Sequence, residues 1–354
     1  MLTEGQDYAD NVNSYHIVDS QNVPDTFKFS NSNDNIVAKI KTIQPLDQLV
    51  DLSATDNDIL TLNLSVSDGS GNGATEVLDA GKFVNIEEVD VVSAGATAIK
   101  VDATLSAVTG IKTLKVSGAF IDLDSPPGGS GFHLDGSTTV SKTLTTIDAS
   151  GITSGSAVLD LTSASQDLTI IGPNVAASIK GGSGVDTITG QGTITGGAGN
   201  DVITLNGAAT VTGGSGNDTI TVDAVGAATI TIENEDEGGI DTIVGFDATK
   251  DKIKFDSSSA QPIDFSDKTI TFVSMEAAKE ALANDGNLGD KTNYPSGGAK
   301  DTGYFGLVFN VGDKTYLAID SGDSTGYDSS KDAIVEITGY TGTLDDLAKA
   351  IITA

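Results

Sequence analysis

Residues 181–221 read GGSGVDTIT, GQGTIT, GGAGNDVIT, LNGAATVT and GGSGNDTIT in succession. Three nine-residue units, starting at Gly181, Gly196 and Gly213, carry glycine at positions one, two and four, aspartate at six and isoleucine at eight. Glycine at those places lets the chain turn with positive φ and lie close against another backbone. Positions seven to nine then alternate about one apolar side chain, which is the period of a strand. Thr193-Ile-Thr195, Thr210-Val-Thr212 and Thr229–Ile232 supply plain strands between and after the units. A flexible glycine-rich linker has no reason to keep isoleucine at the eighth place. The period predicts a roll of stacked parallel strands with Ile and Val inside.

The sixth residues, Asp186, Asp201 and Asp218, are 15 and 17 residues apart. The turns between the units, Gly190–Gly192 and Leu205–Ala209, contain no aspartate, so the carboxylates are expected on one side of the roll only. Two carboxylates about 5 Å apart at an effective dielectric of about 20 repel by roughly 3 kcal/mol. A hard cation such as Ca²⁺ relieves this by taking six to eight oxygens from carboxylates and main-chain carbonyls. A fourth, degenerate turn keeps Gly239 and Asp241 at positions four and six, 23 residues beyond Asp218. Asp320, Asp323, Asp328 and Asp332 lie between two predicted strands and are a further candidate metal loop. Glu233, Glu235, Asp236 and Glu237 read as exposed acid, with a supplementary role at a metal site as the alternative.

The run over 178–256 resembles the calcium-binding β-roll of RTX proteins. That resemblance implies calcium ligands among Gly181, Ser183, Asp186, Gly196, Gly197, Ala198, Gly199, Asp201, Gly213, Gly214, Ser215, Gly216, Asp218 and Asp241. The spacing departs from the family ideal of about eighteen residues, two nonapeptides, between same-side turns. The strand-rich stretch before the roll (NIEEVDVV, TLKVSGA, LTTIDASGITSG) resembles the solenoid arms of calcium-dependent bacterial surface-layer proteins. The tail over 314–342 (KTYLAIDSGDSTGYDSSKDAIVEITGYTG) is similar to the C-terminal region of RTX proteins exported by type I secretion. Export by that machinery, to the outside of the cell or its surface, is what this implies.

Composition sets the outer bounds. The chain has 354 residues, 50 acidic and 19 basic side chains and a formal charge of −31, which argues against a nucleic-acid partner. Of the acids 40 are Asp, a turn-forming and cation-ligating residue, and only 10 are Glu. No cysteine is present, which removes disulfides, zinc thiolates and thiol nucleophiles. His16 and His133 stand in no His-Glu-x-x-His context, and Gly-x-Gly patterns precede strands instead of helices, so neither a zinc protease nor a nucleotide site is expected. No N-terminal signal and no apolar run of membrane-spanning length is visible.

The expected architecture is all-β, an elongated parallel β-solenoid with a small C-terminal α+β cap. Its segments are 1–50, little assigned; 51–177, a solenoid arm without calcium motifs; 178–256, the roll; and 257–354, the cap and secretion region. Helices are predicted over Ser274–Asn284 and Leu344–Ile352, and strands over Tyr304–Asn310, Thr315–Ile319 and Ala333–Ile337. The function expected is non-enzymatic: a secreted protein that self-associates on calcium binding into a surface array or adhesive fibre, with a cell-surface glycan as a candidate anchor. The alternative is the export and folding portion of a secreted RTX enzyme or toxin.

Overall fold

Ile36, Leu60, Val89, Leu114, Ile147, Ile170 and Ile188 stand one above another in a single column, each at most 1% exposed. The computed structural model that shows this describes residues 2–7, 12–17, 26–28, 33–39, 48–50, 56–64, 74–78, 82–84, 86–97, 99–104, 111–120, 131–136, 140–222, 225–255, 263–265, 270–283, 304–320 and 328–353. The chain forms two compact units, Met1–Thr193 and Ile194–Ala354. The fold is all-β.

In the first unit the column belongs to a ladder of parallel strands that climbs in chain order: Val12–Ile17, Asp34–Lys39, Ile59–Leu64, Glu88–Thr97, Thr113–Phe120, Thr146–Ser154, Thr169–Ile171 and the start of Thr187–Ala198. A second parallel ladder runs through Ala74–Leu78, Ile99–Thr104, Gly131–Asp135, Ser156–Asp160 and Ala177–Lys180. Leu134, Leu159 and Ile179 form its buried column. Both ladders follow from alternation: every second residue is aliphatic and faces inward, and parallel register keeps those residues in line. Thr26–Lys28, Gln48–Val50 and Lys82–Val84 add a third small parallel sheet. The described residues among the first fifty are therefore part of the strand architecture, and Leu2–Asp7 pairs antiparallel with Val12–Ile17. The sequence DSPPGGSG at Asp124–Gly131 reads as a loop interrupting the strands, and all of it but Gly131 lies outside the described residues.

The second unit repeats the plan. Ile203, Ile220, Ile243 and Ile337 align on one face; Val211, Ile230, Ile253 and Ile351 align on the other. Above the roll sits the cap. Tyr304–Val311 and Lys314–Asp320 make an antiparallel hairpin that continues to Ala333–Thr338, which in turn pairs parallel with Asp241–Val244. The helix Met275–Ala283 covers this sheet through a cluster of Ala278, Leu307, Phe309, Tyr316, Ala318 and Ile334. One expectation needs correcting at the end of the chain. The last helix is Leu344–Ala350, started by a capping box between Thr343 and Asp346, and stops before Ile351. Ile351–Thr353 is a strand instead, because it pairs with Lys252–Phe255 and covers the edge that those residues would otherwise present.

Candidate metal centre

Asp201, Asp218 and Asp241 are brought into one register by the strands that follow them. The Asp201 N–H donates to Asp218 Oδ1 at 2.7 Å, and the Asp218 N–H donates to Asp241 Oδ1 at 2.9 Å. Each carboxylate thus satisfies a buried backbone donor of the coil before it. A second ladder runs beside the first at position five: Asn217 N–H donates to Asn200 Oδ1 at 2.9 Å and Ile240 N–H to Asn217 Oδ1 at 2.8 Å.

The other oxygen of each roll aspartate is the informative one. Asp218 is 1% exposed, and its Oδ2 is buried and accepts no hydrogen bond. An added methyl group at Gly213 would collide with that oxygen, and one at Gly196 would collide with both Asp201 Oδ2 and the Gly213 carbonyl oxygen. The space that glycine leaves is therefore edged by carboxylate and carbonyl oxygens together. Gly197, Gly199, Gly214 and Gly216 all have φ between 106° and 129°, the region that favours glycine. Gly214 and Gly216 lie directly on the carbonyl groups of Gly197 and Gly199. Burial first, with the charge of Glu233 adding to it, pushes the Asp218 carboxyl up to about 6; burial, then the charges of Asp218 and Glu233, push the Asp241 carboxyl up to about 8.

The first nonapeptide is built differently. Gly182 and Gly184 are not among the glycines with positive φ. Asp186 Oδ1 accepts from Leu168 N–H at 2.8 Å and Oδ2 from Gly182 N–H at 2.9 Å, so both oxygens already hold main-chain donors. Ser183 donates through N–H and Oγ to the Ala164 carbonyl. Asp186 closes a turn, as does Asp251, whose Oδ2 accepts from Asp247 N–H and Oδ1 from Ala228 N–H.

The loop with Asp320, Asp323, Asp328 and Asp332 is only partly within view: Asp323 lies outside the described residues. Asp328 Oδ1 accepts from Ser330 N–H and Oγ, while Asp332 Oδ2 accepts from Asp328 N–H at 2.6 Å. Thr249, Asp247 and Asp251 make the same bonds in the same order, so this half of the loop is a closed turn of that kind.

Among the described residues no three His, Asp or Glu side chains gather closely enough to hold an ion by themselves. Any shell in the roll has to include main-chain carbonyls. With that condition the roll turns fit calcium: the donors are all oxygen, one buried carboxylate oxygen accepts no hydrogen bond, and glycine carbonyls stand beside it.

No family model matches the chain, and no curated protein matches it either.

Of the acids read as exposed or as supplementary to a site, Glu233 is half-buried and lies beside Gly238 and the Gly214 carbonyl, whereas Asp236 and Glu237 are exposed. One feature was missed in the sequence. The first unit also contains the same acid ladder without any glycine motif. Asn57 N–H donates to Asn33 Oδ1 at 3.0 Å, Asp34 N–H to Asp58 Oδ1 at 2.8 Å, and Asp58 N–H to Glu87 Oε2 at 3.1 Å. The signal was an Asn-Asp pair directly before an alternating strand, at 33–34 and 57–58 as at 200–201 and 217–218.

The raised carboxyls give a pH dependence with a definite sign. A folded pKa above the unfolded value of 3.8 means that the folded state holds its proton longer, so stability is full at acid pH and falls as pH rises toward the folded pKa. In chelator, the melting temperature of the full chain should fall between pH 4 and pH 8 and level off above. Asp241→Asn keeps an acceptor for Asp218 N–H but carries no charge. Its melting temperature should exceed that of the unsubstituted protein at pH 8.5 and converge with it near pH 4; calorimetry at those two pH values checks this.

Proposed function

We propose that this chain is a secreted structural protein whose roll is cross-linked by calcium between successive turns, and that the calcium-loaded form self-associates into a surface layer. The observation that carries the reading is Asp218 Oδ2, a buried carboxylate oxygen that accepts no hydrogen bond beside glycine turns stacked through their carbonyls. Asp201, Asp218 and the carbonyls around Gly213 and Gly214 would hold the ion. When bound, calcium supplies positive charge between coils and screens the Asp218 carboxylate, which burial otherwise holds toward the protonated form. Asp201 and Asp218 are each 1% exposed, so an ion held there serves the neighbouring coils and not a substrate in solvent.

The acid-rich composition and the charge of −31 support an extracellular role, because sites with Kd of about 10⁻⁴–10⁻³ M fill only outside the cytosol. The test is assembly. Protein purified in chelator is brought to about 10 mM calcium, at least tenfold above such a Kd, and followed by sedimentation and electron microscopy. Ordered sheets or fibres that dissolve on chelation are expected. A monomer in both conditions contradicts the surface-layer reading. Calcium-driven folding without assembly would instead make the chain the folding and export module of a larger secreted protein.

A further inference from the structure

The last turn of the roll departs from the nonapeptide. Between Asp218 and Asp241 the chain inserts the four-residue helix Glu235–Gly238, and Asp241 spends its Oδ1 on the Asp218 N–H. The motif alone therefore provides no obvious counterpart for Asp218 Oδ2 on that side. Glu233, which follows the strand Ala228–Ile232, stands in the right place. A side-chain carbon at Gly238 would lie 2.9 Å from Glu233 Cβ, 3.4 Å from Glu233 Oε2 and 3.5 Å from the Gly214 carbonyl oxygen, so Glu233 and the Gly214 carbonyl flank the same glycine. Gly214 adjoins Gly213, and the missing side chain of Gly213 is what leaves room for Asp218 Oδ2.

We infer that Glu233, Asp218 Oδ2 and the Gly214 carbonyl form a divalent-cation site that closes the roll, with a glutamate standing where the repeat would place its own turn. Two carboxylates and a carbonyl are oxygen donors suited to a hard cation, and the longer glutamate arm spans a coil widened to 23 residues. The burial of Asp218 supports the site: Oδ1 holds the Asp201 N–H, whereas the buried Oδ2 accepts no hydrogen bond and is the oxygen a cation would engage. Mutual electrostatic reach between Glu233 and both aspartates agrees with this placement. The site also touches the cap. Asp236 N–H donates to the Ser329 carbonyl at 2.8 Å, and Asp241–Val244 pairs with Ala333–Thr338, so cation binding at Glu233 tightens the segment on which the cap rests.

This inference rests on the calcium reading of the roll, and the experiment separates the two. Calcium is titrated calorimetrically into the full chain, into Glu233→Gln and into Glu233→Asp, with hydrogen exchange measured on 233–241 and 328–338. Glu233→Gln should lose one site or weaken one site about tenfold or more, leave any site that does not share Asp218 unchanged, and lose calcium-dependent protection in both segments. Glu233→Asp, which keeps the charge on a shorter arm, should weaken the same site. Repeating the titration at about 0.5 M KCl distinguishes a ligand from a distant charge, because only the distant effect is screened away. Unchanged stoichiometry and affinities in both variants overturn the inference alone. Absence of calcium binding by the unsubstituted protein overturns the calcium reading and this site with it.

Discussion

Gly214→Ala should lower the stability of the second unit by about 2–6 kcal/mol, the sum of backbone strain and overpacking. At φ 106° an alanine is strained, and its methyl group would run into the Gly197 carbonyl of the coil below. Neither neighbour can yield, since both are main chain held in a parallel ladder. Gly312 is the control. It also has positive φ, 64°, but nothing lies within 4 Å of an added carbon, so Gly312→Ala should cost only the left-handed penalty of about 1–2 kcal/mol. Thermal melts of the two variants, with and without calcium, separate stacking from local backbone strain. Equal losses at the two positions would show that coil-on-coil contact is not what Gly214 provides.

The second large effect is a reversal between conditions. Asp218→Asn keeps the side-chain acceptor for Asp201 N–H while removing a charge that burial disfavours. In chelator it should be at least as stable as the unsubstituted protein; in calcium it should lose the stabilisation that the ion confers. At ten times Kd each site contributes about 1.4 kcal/mol by mass action, so two sites raise the melting temperature by about 6–11 °C in a unit of this size. Asp186→Asn should behave in the opposite way. Its two oxygens hold Leu168 and Gly182, and an amide cannot accept at both, so it should destabilise by about 1–3 kcal/mol in either condition and leave the calcium response intact. Calorimetric melts of both variants in chelator and in calcium decide, and equal calcium responses in the two would remove the distinction between them.

Much of the fold was legible because a solenoid writes its register into the chain. Alternation placed Thr193–Thr195, Thr210–Thr212, Thr229–Ile232 and Ala333–Ile337 on strands, and isoleucine at the eighth position of each nonapeptide is the residue that enters the buried column, as Ile188, Ile203 and Ile220 show. The candidate site was legible only in part. Asp186 shares the motif with Asp201 and Asp218, yet the difference lies in whether the turn glycines adopt positive φ, and that depends on the neighbouring coil. Glu233 carried no motif at all; its position follows from a coil lengthened by the helix Glu235–Gly238. The Asp34–Asp58–Glu87 ladder was hidden for a related reason. Its coils are 24 and 29 residues long, too irregular for a repeat to be visible, although the hydrogen bonds match those of the roll one for one. Ile351–Thr353 read as the end of a helix because its apolar spacing suits either form, and an unpaired strand edge decided the outcome.

Scanning calorimetry of the full chain at pH 7.5, first in chelator and then with calcium, tests the central claim most directly. A calcium-dependent rise in the melting transition of the second unit is expected, absent with Asp218→Asn and retained with Asp186→Asn. A transition that stays at the same temperature in chelator and in calcium would contradict it.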